Sequence, residues 1–174
     1  MKKVLLLALV AIVLSGCAPI GVAPNEGLVG DYAYVVGQKA GSNGNSFHFT
    51  NVAQKPMAAE WDMDFYLPNP SSDDSYVVQK VKPGRYIFEY IVQPSGWSRD
   101  VVELGSVLLE PGKINYIGTI TVEHSQVVGT YSTRSSRVAP KVTYQPAIVK
   151  EIIRKQYPGL ARDIDDKFVI QNFR

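Results

Sequence analysis

The chain has a single cysteine, Cys17, in 174 residues. No disulfide can close within it, so burial and hydrogen bonding must supply its stability. Histidine is almost as scarce. His48 and His124 stand alone, with no second histidine at ligand spacing from either, which favours surface positions over a metal centre. Long apolar runs are missing too. The stretch Val4 to Leu14 would make a helix of about 16 Å, against the roughly 20 residues and about 30 Å that a bilayer core demands. No Gly-x-Ser-x-Gly nucleophile elbow, Walker loop or His-Glu-x-x-His helix occurs. These absences propose no catalytic residue and no metal ligand, although triads built from distant positions remain open.

What is present begins at the amino end. Lys2 and Lys3 precede the apolar stretch, and Ser15, Gly16 and Cys17 follow it. That order of charged, apolar and small-residue zones is the pattern of a signal peptide over residues 1–16. Leu14-Ser15-Gly16-Cys17 resembles the lipobox of bacterial lipoproteins, an aliphatic residue and two small ones ahead of a cysteine. The resemblance implies that Leu14, Ser15 and Gly16 are read by the signal peptidase. It also implies that Cys17, carrying diacylglycerol and an N-acyl chain, becomes the first mature residue. Two or three chains hold firmly where one binds only marginally. The lipid is the only expected group of cofactor kind. Ala18, rather than aspartate, after the cysteine implies export to the outer membrane in enteric-like bacteria. Acylation would also consume the only thiol, which removes thiol-based catalysis.

Removing residues 1–16 leaves 158 residues, a single domain of ordinary size. The formal charge of +2 disappears with Lys2 and Lys3, because the leader holds no acid and 16 basic side chains then face 16 acidic ones. A neutral mature protein has no basic excess to recruit nucleic acid. Residues 17–30 combine the lipid-bearing cysteine with Pro19, Gly21, Pro24, Gly27 and Gly30, which reads as a flexible tether with an extended reach of about 45 Å.

From residue 31 to 174 the pattern is alternation with period two, rich in Val, Ile, Tyr, Phe and Thr. Trp61, Met63, Phe65 and Leu67 share one face of a predicted strand; Tyr86, Phe88, Tyr90 and Val92 share another; and Ile114, Tyr116, Ile120 and Val122 a third. Further strands are predicted near residues 32–38, 46–53, 75–81, 101–109, 126–132 and 141–145. Lys82-Pro83-Gly84-Arg85 and Glu110-Pro111-Gly112-Lys113 are matching turns, in which proline fixes one φ and glycine supplies a positive one. Residues 147–156 predict a short amphipathic helix, with Pro146 in its first turn and Pro158-Gly159 ending it. Residues 167–173 read as a last strand or a strap. The fold class is therefore mainly β: an antiparallel β-sandwich or small barrel, with one C-terminal helix on an edge or end. The span from the Lys82 turn through Tyr116 to Tyr157-Pro158-Gly159-Leu160 is similar to small uncharacterised envelope lipoproteins with an immunoglobulin-like or transthyretin-like sandwich.

Recognition features are few. Trp97 sits in the turn-rich Pro94-Ser95-Gly96-Trp97-Ser98-Arg99, where an aromatic suits stacking on a sugar or anchoring a protein. Arg134 and Arg137 lie in a polar stretch suited to anionic groups. Asp163, Asp165 and Asp166 offer oxygen ligands of the kind calcium takes but lack the glycine and distal glutamate of an EF-hand loop, and both they and Asp73-Asp74 read as solvated loop carboxylates. The expectation is a membrane-anchored, non-catalytic module that binds or scaffolds an envelope protein or glycan. Two alternatives stay open: a cell-wall or lipid hydrolase using a serine, His48 or His124 and an aspartate, and a structural or stress-related coat protein.

Overall fold

The computed structural model describes residues 21–40, 47–52, 65–67, 76–92, 100–125 and 137–174. Two sheets form. The larger contains β1 (Ala33–Ala40), β4 (Val77–Val81), β7 (Ile114–Ser125), β8 (Arg137–Thr143) and β9 (Phe168–Ile170). The smaller contains β2 (Phe47–Asn51), β3 (Phe65–Leu67), β5 (Gly84–Val92) and β6 (Asp100–Leu109), in the order β3-β2-β5-β6. The larger runs β4-β1-β7, and then β8 pairs with the second half of β7 while β9 pairs with its first three residues. The protein is mainly β, its sheets are not closed into a barrel, and short helices lie near the C-terminus.

One departure from the expected topology is that β1 and β9 both run parallel to β7. The larger sheet is mixed. Parallel pairing joins strands far apart in sequence and leaves no turn signature.

Two apolar layers hold the molecule together. Between the sheets, Ala33, Val35, Val81, Ile117 and Ile120 meet Phe47, Phe49, Leu67, Tyr86, Phe88, Val107 and Leu109. Phe88 lies edge-on to both Phe47 and Phe49 at 5.2 Å. On the other face of the larger sheet, Tyr34, Val36, Val78, Ile114 and Tyr116 pack under three helices: α1 (Pro146–Gln156), α2 (Pro158–Ala161) and α3 (Ile164–Lys167). The helices cover the sheet's face rather than its edge or end. In α1 the buried stripe is Val149 and Ile153, while Ile148 is half exposed.

Alternation fails at one place in β7. Ile114 and Tyr116 face the helices, but Ile117 and Ile120 face the smaller sheet, so the four-residue face predicted for this strand is split. The cause is a bulge. The register with β1 shifts between Val36 and Gly37, leaving Ile117 as the extra residue beside Gly118 at φ 89°. One inserted residue exchanges the faces of everything after it.

Both Pro-Gly turns are tight, and both cross between sheets: β4 to β5, and β6 to β7. Gly84 and Gly112 have φ of 148° and 63°, both positive as predicted. The corners sit side by side, since Gly84 pairs with Leu109. The Tyr86 hydroxyl donates to the Lys82 carbonyl at 2.7 Å across the first. Asn115, fully buried, holds the second: it accepts from the Glu110 N–H at 2.9 Å and donates to the carbonyls of Glu110 and Lys113.

The C-terminal segment is both strand and strap. β9 lies beside β7, and Gln171 then donates to Asn115 and Glu110. Phe173 packs into the inter-sheet core, and Arg174 exchanges two backbone hydrogen bonds with Ser106 of β6. The chain thus passes from one sheet to the edge of the other.

Candidate functional site

The most developed polar constellation surrounds the segment preceding β1. Gly21 makes an isolated antiparallel bridge to Gln79 of β4, and Val22 is buried against the helix-side core. The Gly159 N–H donates to the Pro24 carbonyl at 3.0 Å. Glu26 then reaches Lys80 at 2.7 Å, with both side chains half-buried. The Tyr34 hydroxyl donates to the Gly27 carbonyl at 3.0 Å and accepts from the Val29 N–H at 3.1 Å. Residues 21–30, which their proline and glycine content makes resemble free tether, are thereby held against the sheet and α2.

Glu26 and Lys80 form the ion pair of this cluster, and Lys82 adds a second cation beside it. The hydrogen bond from Lys80 holds the Glu26 carboxyl below the ordinary carboxylate range, and Glu26 in turn raises the Lys80 ammonium. Burial pushes the Tyr34 phenol up. The ammonium groups of Lys80 and Lys82 lie 4.5 and 4.8 Å from the centre of the Tyr32 ring, within cation–π range. An ion pair of this kind orients two segments more than it activates either group. The arrangement positions backbone; it offers no nucleophile with an adjacent base.

A second buried cluster lies beneath α1. The Tyr116 hydroxyl accepts from the Gln145 N–H at 3.1 Å, fixing the start of the helix over the sheet. Tyr76 and Tyr144 lie edge-on to Tyr116, and the Tyr76 hydroxyl meets Thr119, which donates to Gln38 at 2.9 Å. Burial raises the Tyr116 phenol to about 12. Lys39, 2% exposed, lies 5.2 Å from the centre of the Phe47 ring at the inter-sheet layer, and burial lowers its ammonium. Neither cluster stands out in the sequence, because both arise from strand register and not from local spacing.

The residues singled out by sequence distribute differently. Leu14, Ser15, Gly16, Cys17, Trp97, Arg134 and the pair Asp73-Asp74 lie outside the described residues. Arg137 opens β8 opposite Ser125. His48 is on β2 of the smaller sheet, in register with Tyr66 and Glu89, whereas His124 is on β7 of the larger sheet opposite Val138. The acidic group near the C-terminus is bound by cations: Asp165 pairs with Lys150 at 3.2 Å and Arg154 at 2.8 Å, and both hold its carboxyl low. Among the described residues no cluster of three metal-ligating side chains occurs, and no helix is long and apolar enough to cross a membrane.

No protein-family model, curated protein or solved structure matches the chain. The functional reading therefore rests on its own residues.

Proposed function

We propose that the chain is the precursor of a lipid-anchored cell-envelope protein whose β-sandwich has a non-catalytic binding or scaffolding role. The observation that carries the reading is the ordered series at the amino end: two lysines, an apolar stretch too short to span, and Leu14-Ser15-Gly16-Cys17. The neutral balance of charge after loss of the leader argues against nucleic acid. The absence of catalytic motifs in the sequence favours binding over catalysis. The partner is an envelope protein or glycan, met through Trp97, Arg134 and Arg137. Ala18 after Cys17 places the protein at the outer membrane in this reading.

Mass spectrometry of the membrane fraction tests it. The expected first residue is Cys17 with two or three acyl chains, and Cys17→Ser should release the protein from the membrane. An unmodified Cys17 thiol within a retained leader would overturn the proposal. Ala18→Asp should move the protein from outer-membrane to inner-membrane fractions. Crosslinking in intact cells should recover the same envelope component repeatedly; recovery of this chain alone would remove the binding role.

A further inference from the structure

We infer that residues 21–30 are a built part of the domain rather than its tether, and that they hold the Pro-Gly corner of the larger sheet, at the end of β4, against the lipid surface. The inference rests on the proposed acylation of Cys17 and goes beyond it to the distance and orientation of the domain.

The distance follows from where the fold begins. Only Ala18, Pro19 and Ile20 separate Cys17 from Gly21. Four backbone steps reach at most about 14 Å fully extended, about a third of the reach available if the segment to Gly30 were free. Gly21 is already on β4, and the chain after it is fixed at Val22, Pro24, Glu26, Gly27 and Val29 by the contacts to α2, Lys80 and Tyr34. A domain attached in this way lies at the membrane and cannot stand off from it.

Orientation follows from strand direction. The Gly21–Gln79 bridge is antiparallel, so the chain's N-terminal direction points along β4 toward Lys80 and Lys82. That is the end of the sandwich carrying both Pro-Gly corners. The strand ends Val92 and Asp100, which bracket residues 93–99, pair at the opposite end, as do Ser125 and Arg137, which bracket residues 126–136. The end toward which the chain runs back from Gly21 is thus opposite the end where the strand pairs Val92–Asp100 and Ser125–Arg137 close. The occupant of the corner is a phospholipid surface, because the anchor's length leaves nothing else within reach of it.

The full lipidated protein, purified from membranes, provides the test. Acylation blocks Cys17, so a nitroxide can be placed singly at Lys82→Cys in the corner, or at Lys141→Cys on β8, which pairs with Thr121 and so lies about 20 Å along the strands from the corner end at Ile114. Both lysines are exposed and outside either core. The protein is reconstituted in phosphatidylethanolamine–phosphatidylglycerol vesicles containing a nickel-chelating lipid. The label at position 82 should relax several-fold faster than that at 141, and a Gly/Ser insertion of about ten residues after Ala18 should erase the difference. Equal relaxation at both positions without the insertion, or faster relaxation at 141, would overturn the inference while leaving acylation intact. Failure of the purified protein to float with vesicles would overturn the acylation reading and this inference with it.

Discussion

Replacing Gly159 by alanine asks whether the N-terminal segment is structurally committed to the domain. The position is in the first turn of α2, and its backbone is not left-handed. In an open helix the change would be tolerated or favoured by up to about 1 kcal/mol. Here the new methyl would meet the carbonyl oxygen of Glu26 and lie 2.5 Å from the carbonyl carbons of Asn25 and Glu26. These are backbone atoms, with no rotamer to swing aside. Two responses are available. Keeping the segment in place compresses a packed contact, at about 1–3 kcal/mol. Releasing it forfeits the Gly159–Pro24 hydrogen bond, about 1 kcal/mol, the burial of Val22, about 1.5–3 kcal/mol, and at most about 1 kcal/mol from the Glu26–Lys80 pair. The smaller loss sets the outcome, so a destabilisation of about 2 kcal/mol is expected.

Urea unfolding measures that loss, and its slope identifies the response, since the slope scales with surface exposed on unfolding. A lower midpoint with unchanged slope means the segment stays docked under strain; a shallower slope, with faster amide exchange over residues 21–30, means it has left. A Gly159→Ala protein as stable as the parent, with unchanged exchange over those residues, would refute the close approach.

Three other predictions follow from the same contacts. The folded state keeps the Tyr116 proton to about 12 against an ordinary 10, so the unfolded chain binds fewer protons between those values. Stability is therefore complete below pH 10 and is lost as pH rises toward about 12, by at most about 1.4 kcal/mol per pH unit; Tyr116→Phe should flatten that slope in urea titrations. Glu26 runs the other way: its lowered folded-state carboxyl contributes stability above about pH 4.5 that is lost on acidification through the folded value. Amide exchange over residues 21–30 should accelerate at low pH in the parent and show little further change in Glu26→Gln. Asn115→Ala strands the Glu110 N–H and two carbonyls in a buried corner, at about 3 kcal/mol, readable as a shifted urea midpoint; a shift below about 1 kcal/mol would mean the corner holds without it.

Much of the fold was legible because alternation is a local signal. The strands at Ala33, Val77, Gly84 and Ile114, the helix after Pro146 and the final strap all follow from apolar period and turn residues. What escaped depends on register. The bulge at Ile117 is one residue in a continuous β-rich stretch, and only the partner strand reveals that Ile114 and Ile120 face opposite ways. The parallel pairing of β1 with β7 joins residues about 80 apart, such as Val36 and Tyr116. Residues 21–30 were misleading for a different reason. Proline and glycine report how a backbone bends, not whether Val22, Glu26 and the Tyr34 hydroxyl find partners. The docking cluster has no motif because its members come from β1, β4, α2 and the segment itself.

The two ends of the sandwich differ in construction, and the difference predicts what each will touch. At the corner end, Gly112 donates to the Tyr32 carbonyl, Tyr34 donates to the Lys113 carbonyl and Gln171 grips Asn115 and Glu110. The first strand and the C-terminal strap thus both staple the β6–β7 corner. A surface tied at this many points is held rigid, and the short anchor of the proposed lipoprotein sets it toward the lipid boundary. At the other end the strands close on the pairs Val92–Asp100 and Ser125–Arg137, and the residues between them include Trp97 and Arg134. A photo-crosslinking residue at Arg137 should therefore capture envelope protein or glycan in living cells, whereas one at Lys82 should capture phospholipid. Protein adducts of equal yield from both positions would show that anchoring and recognition are not segregated, and would remove the argument that the lipid at Cys17 orients this domain.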